Sequence, residues 1–137
     1  MPQLLRTDAD IKTAAREWCL NPALALAEYG HISCWNVSRV TNTEKLFLNQ
    51  RNFNDDISHW HVANVKNMYS MFDNAHKFNQ NVSSWKVANV KDMRYMFSDA
   101  CSFNQDLSDW AVSADTNTRR MFRATTSLRR KPRWFKD

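Results

Sequence analysis

Residues 57–80 read ISHWHVANVKNMYSMFDNAHKFNQ, and residues 82–105 read VSSWKVANVKDMRYMFSDACSFNQ, the same sentence repeated one step of 25 later. Extending that step in both directions places Trp35, Trp60, Trp85 and Trp110 in one column and Phe47, Phe72, Phe97 and Phe122 in another. Val37, Val62, Val87 and Val112 keep the period, as do Ile32, Ile57, Val82 and Leu107, and Phe53, Phe78 and Phe103 with Leu128 in fourth place. A fixed period of roughly 20 to 50 residues marks a repeat architecture, in which no unit buries its apolar face alone and each leans on the next. The aromatic columns Trp35, Trp60, Trp85, Trp110, Phe47, Phe72, Phe97 and Phe122 are therefore read as core.

Within the unit two periods coexist. Ile57 to Val62 is short and rich in β-branched and aromatic residues, which suits a strand. Val65, Met68, Phe72 and Ala75 follow at steps of three and four, which suits one side of a helix that Asn64 could cap. Ile57, Trp60, Val62 and Val65 also carry the apolar offsets of leucine-rich repeats, although Val stands where such repeats usually have Asn. Asn54, Asn79 and Asn104 supply a possible amide ladder at another corner. The expected fold is thus α/β, a leucine-rich-repeat-like solenoid of about four coils, each a short strand plus a short helix.

Residues 1–30 lie outside the repeat and read as a helical N-terminal cap, residues 31–128 as the four-coil array, and residues 129–137 as a basic aromatic tail of the same single domain. Thr7 or Asp8 is placed to cap a helix running to about Cys19. Asn21-Pro22 starts a second helix, and Gly30 stops it. The first copy departs from the pattern at Thr43 and Leu46, and the last at Asp115, Thr118 and Arg129, as end repeats should.

Composition excludes several functions. A chain with Gly30 as its single glycine cannot form the glycine-rich loops of nucleotide sites. Cys19, Cys34 and Cys101 make an odd set without a CxxC pair, which fits a reduced, intracellular or virion-borne chain. The opening MPQLLRTDAD has no apolar signal region, and no stretch approaches the roughly 18 to 20 apolar residues of a spanning helix. Charge is concentrated at one end. Residues 119 to 137 hold eight basic side chains against Asp137, a net of +7, while the other 118 residues hold 11 basic and 13 acidic, a net of −2. Such an end favours an acidic partner, whether protein or nucleic acid.

The strings FNQNVSSWKVANVKDMRYMF (78–97) and FNQDLSDW (103–110) resemble the BspA-like surface-protein repeat, first catalogued in mycoplasma lipoproteins. EWCLNPALALAEYGHISCWNVSRVT (17–41) resembles the leading segment that such repeats carry in algae, protists and large DNA viruses. The resemblance implies a leucine-rich-repeat-like, non-enzymatic protein whose role is surface adhesion or protein contact. With no export signal or lipidation cysteine in the given sequence, it points to a minor capsid protein or a similar structural component rather than an adhesin.

Candidate site residues follow from the layout. Cys34, Asn36, His59, His61, Ser84, Lys86, Asp109 and Ala111 flank the inward positions and differ from copy to copy, as a face shaped for a partner would. His59 and His61 could form a two-ligand metal pair with Cys34 nearby, but a third strong ligand is lacking, so no metal or cofactor is expected. No HExxH, no Ser-His-Asp order and no apolar carboxylate pair stands out, so no catalytic residue is assigned and no enzyme is expected. In the tail, Arg129, Arg130, Lys131 and Arg133 interleave with Trp134 and Phe135. That mixture favours anchoring on a neighbouring protein, with the two rings as plugs; nucleic-acid binding through the same residues is the alternative.

Overall fold

A computed structural model describes all residues from Met1 to Asp137. Two helices open the chain, α1 (Ile11–Leu20) and α2 (Pro22–Tyr29), and a single 3-10 turn follows at Ile32–Cys34. α1 buries Ile11, Ala14, Ala15 and Trp18. α2 starts where expected, with the Asn21 side chain accepting the Leu24 N–H at 3.3 Å and Pro22 in the first turn. Gly30 ends it at φ 72°, and a Cβ there would collide with the Leu4 side chain. Asp8 does not cap α1. Its carboxylate accepts instead from the Thr41 N–H at 2.8 Å, the Thr41 hydroxyl at 2.5 Å and the Asn42 N–H at 3.2 Å, which clasps the cap to the repeats.

The expected α/β class is wrong. Beyond Cys34 there is no helix, and no sheet forms anywhere; parallel pairing is confined to isolated bridges, Leu5 with Asn36 and the run Asn42, Asn67, Asp92, Asn117. Neither the strand nor the helix of a leucine-rich-repeat-like coil is present. The stretch from Ile57 fails as a strand because it folds into turns, with the Trp60 N–H donating to the Ile57 carbonyl and Val65 to Val62. The stretch from Val65 fails as a helix because Ser70 and Asn74 sit at φ 51° and 62°, a handedness no right-handed helix admits.

What the sequence builds is a pile of 25-residue turns joined by an alternating backbone pattern. In the first repeat, Leu46, Leu48 and Gln50 donate their N–H groups three residues back within the turn. The residues between them donate along the pile: Lys45 to Tyr69, Phe47 to Met71 and Asn49 to Asp73, at 2.8–2.9 Å. Ser70, Phe72 and Asn74 do the same to Arg94, Met96 and Ser98, and Tyr95, Phe97 and Asp99 to Arg119, Met121 and Arg123. The left-handed residues are the hinges of this alternation: Lys45, Ser70, Tyr95 and Arg120 in one column, and Asn49, Asn74, Asp99 and Ala124 in another, all at φ 51–63°.

Side chains complete the joints. Trp35, Trp60, Trp85 and Trp110 lie one above another, each only 3 % exposed; Trp35 and Trp60 centroids are 6.1 Å apart at 15°, Trp85 and Trp110 6.5 Å at 7°. Each of the last three indoles donates to a carbonyl of the preceding repeat, Trp60 to Ile32, Trp85 to Ile57 and Trp110 to Val82. Phe47, Phe72, Phe97 and Phe122 form a second row, with centroids 5.4–5.8 Å apart and interplanar angles of 4–10°. Asn54, Asn79 and Asn104 form the amide ladder, each side-chain oxygen accepting the N–H of the next copy. Burying one Trp or Phe contributes at most about 4–6 kcal/mol, so these rows outweigh any single backbone bond.

Both ends of the aromatic pile are closed by different chemistry. At the first end the Arg6 guanidinium, 1 % exposed, covers the Trp35 ring at 5.3 Å and the Tyr29 ring at 4.7 Å. It donates to the Gln3 carbonyl and pairs with Asp10 at 3.3 Å. At the other end residues 129–137 pack as a shortened fifth turn. Pro132 is buried in the column of Ile32, Ile57, Val82 and Leu107, and the Phe135 N–H donates to it as Trp110 does to Leu107.

Candidate interaction surfaces

The half-turns that bury Trp60 and Val62 necessarily turn His59 and His61 outward, and the next copy does the same with Ser84 and Lys86. These four side chains meet in a shallow cleft of about 330 Å³, floored by Trp60 and Val62. The sequence-predicted row is thus brought together at its centre. Asn36 and Asp109 are exposed beyond the two ends of the cleft and do not line it. Asn36 is otherwise engaged, since its side-chain oxygen accepts from both the N–H and the hydroxyl of Ser38, and its backbone pairs with Leu4 and Arg6. No three His, Cys, Asp or Glu side chains converge as metal ligands.

A second cleft, about 400 Å³, lies where α1 meets the first repeat and is lined by Trp18, Cys19, Pro22, Arg51, Phe53 and Asp55 among others. Here Asp55 accepts the Trp18 indole N–H at 2.9 Å. Burial, reinforced by the Asp55 charge, pushes the Cys19 thiol up to about 11. A thiol held protonated is a poor nucleophile.

The tail residues separate into two sets. Trp134 and Phe135, expected as plugs for a neighbour, are half-buried against their own chain. The Trp134 ring extends the tryptophan row and Phe135 meets Phe122 edge-on at 5.1 Å. Arg129, Arg130, Lys131 and Arg133 stay exposed, with Lys131 Nζ 5.5 Å from the Phe135 ring centre. They join Arg119, Arg120 and Arg123 on the last turns. The role of Trp134 was hidden because it stands 24 residues after Trp110 while Phe135 holds the register; Pro132, 25 after Leu107, was the available signal. Arg6 gave no sequence signal at all.

A family model described as "Mycoplasma protein of unknown function, DUF285" matches residues 21–134, and the chain belongs to that family. The match takes in α2, all four repeats and most of the closing turn. Neither the curated proteins nor the solved structures contain a match. No helix is long and apolar enough to cross a membrane.

Proposed function

We propose that the chain is a non-catalytic repeat scaffold for protein–protein contact, a small structural component of a larger assembly. The observation that carries this reading is the contrast along one face. Buried Trp and Val recur unchanged at 35, 60, 85, 110 and 37, 62, 87, while the exposed residues between them run Cys34, His59, Ser84, Asp109 and Asn36, His61, Lys86, Ala111. Packing fixes the first set and leaves the second free to be matched to a partner. The strings at 78–97 and 103–110 also support placing the chain with the BspA-like repeats of its family. A photo-crosslinking residue at Ser84, compared with one at Lys77 outside the row, tests the face in the native source material. Cross-linking to one protein from position 84 alone is the expected result; equal or absent products from both positions would refute it.

A further inference from the structure

The cleft between the second and third repeats gathers basic groups without a carboxylate to answer them. His59, His61, Ser84 and Lys86 ring it above Trp60 and Val62, so two imidazoles and an ammonium share about 330 Å³. Lys91, Arg94 and Arg123 each have a carboxylate of the chain as partner, in Asp115, Asp92 and Asp99, and none of these pairs extends to the cleft. Asp56 is near enough to His59 for their charges to interact, but it accepts the Ser58 N–H at 2.9 Å and does not line the cleft. The floor is fixed. Trp60 and Val62 are buried, and the Trp60 indole is stacked on Trp35 and tied to the Ile32 carbonyl at 2.9 Å. The main chain that carries the basic groups is thus set before a partner arrives, which lowers the cost of ordering on binding.

The rest of the row decides between partners. One repeat before the cleft it holds no basic side chain, only Cys34 and Asn36, and one repeat after it stands exposed Asp109. A phosphate backbone following the row would pass from attraction to repulsion within about one ring spacing, 6.5 Å between Trp85 and Trp110. No Arg lines the cleft to grip a phosphate with a paired fork. We infer that the row takes an extended protein segment lying along the pile, with a carboxylate held by His59, His61 and Lys86 and a basic side chain meeting Asp109. This rests on the proposed contact face and adds the chemistry of its partner. Carboxylates stay ionised well below neutrality while imidazoles gain charge there, so such a segment binds more tightly in mildly acid solution. The groups bearing on the two imidazoles are Lys86 from the following repeat, Asp56 from their own and the Cys34 thiol from the preceding one.

The test is a titration of the full ¹⁵N-labelled chain with a blocked Ser-rich peptide carrying one Glu and, a few residues on, one Lys. Amide NMR follows it at about pH 7.5 and about pH 6. Saturable shifts at the His59, His61 and Lys86 amides are expected, with binding about threefold tighter at the lower pH. Lys86→Gln should weaken binding about fivefold, and His59→Gln combined with His61→Gln should remove the pH dependence, each with an otherwise unchanged spectrum. Absence of saturable shifts, equal affinity at the two pH values, or tighter binding of single-stranded oligothymidylate at the same amides would each overturn the inference. If the Ser84 cross-link still forms after such a result, the contact face stands and only the chemistry assigned to its partner is lost.

Discussion

The indole of Trp134 lies 6.1 Å from that of Trp110 at an angle of 12°, and its N–H donates to the Leu107 carbonyl at 2.9 Å. A residue embedded in the most basic segment of the chain is therefore the fifth member of the tryptophan row. Its neighbours in sequence contribute charge, whereas its own contribution is packing.

Trp134→Ala is accordingly expected to destabilise the fold by about 2–3 kcal/mol, less than a fully buried Trp because the residue keeps some exposure. Urea unfolding checks this, and Arg133→Ala, exposed, should stay within about 0.5 kcal/mol of the parent. A silent Trp134→Ala would mean that the closing turn is not joined to the pile.

Arg6 closes the other end by stacking on Tyr29 and Trp35 with its charge answered by Asp10. Replacement by Ala strips a covering from two buried rings, at an expected cost of about 2–3 kcal/mol. Arg6→Lys should recover little, because an ammonium does not stack as a planar guanidinium does. Midpoints of chemical denaturation for the two variants, compared with the parent, decide the matter.

Acid should loosen the clasp between cap and repeats. Burial acts to raise the Asp8 carboxyl, but the hydrogen bonds from Thr41 and Asn42 and the Lys12 charge outweigh it, and the group ends below its usual range. The hydrogen bond from Ser58 lowers Asp56 likewise. A depressed folded value means that the unfolded chain binds protons more readily, so this stability is present above the ordinary carboxyl range and is lost as pH falls through the folded values. Asp73 acts in the opposite sense, raised chiefly by desolvation. Unfolding midpoints should fall between about pH 5 and pH 2, and Asp8→Asn should flatten part of that fall; an unchanged profile in the variant would assign the acid sensitivity elsewhere.

Two of the cysteines should react in a fixed order. Cys34 is exposed, whereas Cys19 is partly buried with its thiol raised to about 11. Alkylation of the folded chain at pH 8, followed by peptide mass mapping, should label Cys34 well ahead of Cys19. Equal rates would contradict the packing of α1 against the first repeat.

The rows and the cap were legible because a period of 25 survives any local conformation: Trp35 to Trp110 and Phe47 to Phe122 had to meet their own kind. Asn21, Pro22 and Gly30 act through local backbone chemistry and were legible for that reason. The turns were not. Val65, Met68, Phe72 and Ala75 present the same inward spacing whether the chain is helical or folded as alternating turns, and sequence period reports only which side is buried. Asn49, Asn74 and Asp99 hinted at left-handed positions, but Lys45, Ser70, Tyr95 and Arg120 did not, since none of the four favours that conformation intrinsically. The outward row at His59, His61, Ser84 and Lys86 could be located because outward positions follow from inward ones. The basic end could not, because it depends on a closing turn one residue out of register.

Because each repeat offers the same carbonyls to the copy before it and the same amides to the copy after it, repeats are interchangeable parts. Splicing in a duplicate of residues 56–80 should lengthen the molecule by one ring spacing while Arg6 and Trp134 still terminate it. The distance between its two ends is thus an adjustable dimension, set by copy number and decoupled from whatever each end holds.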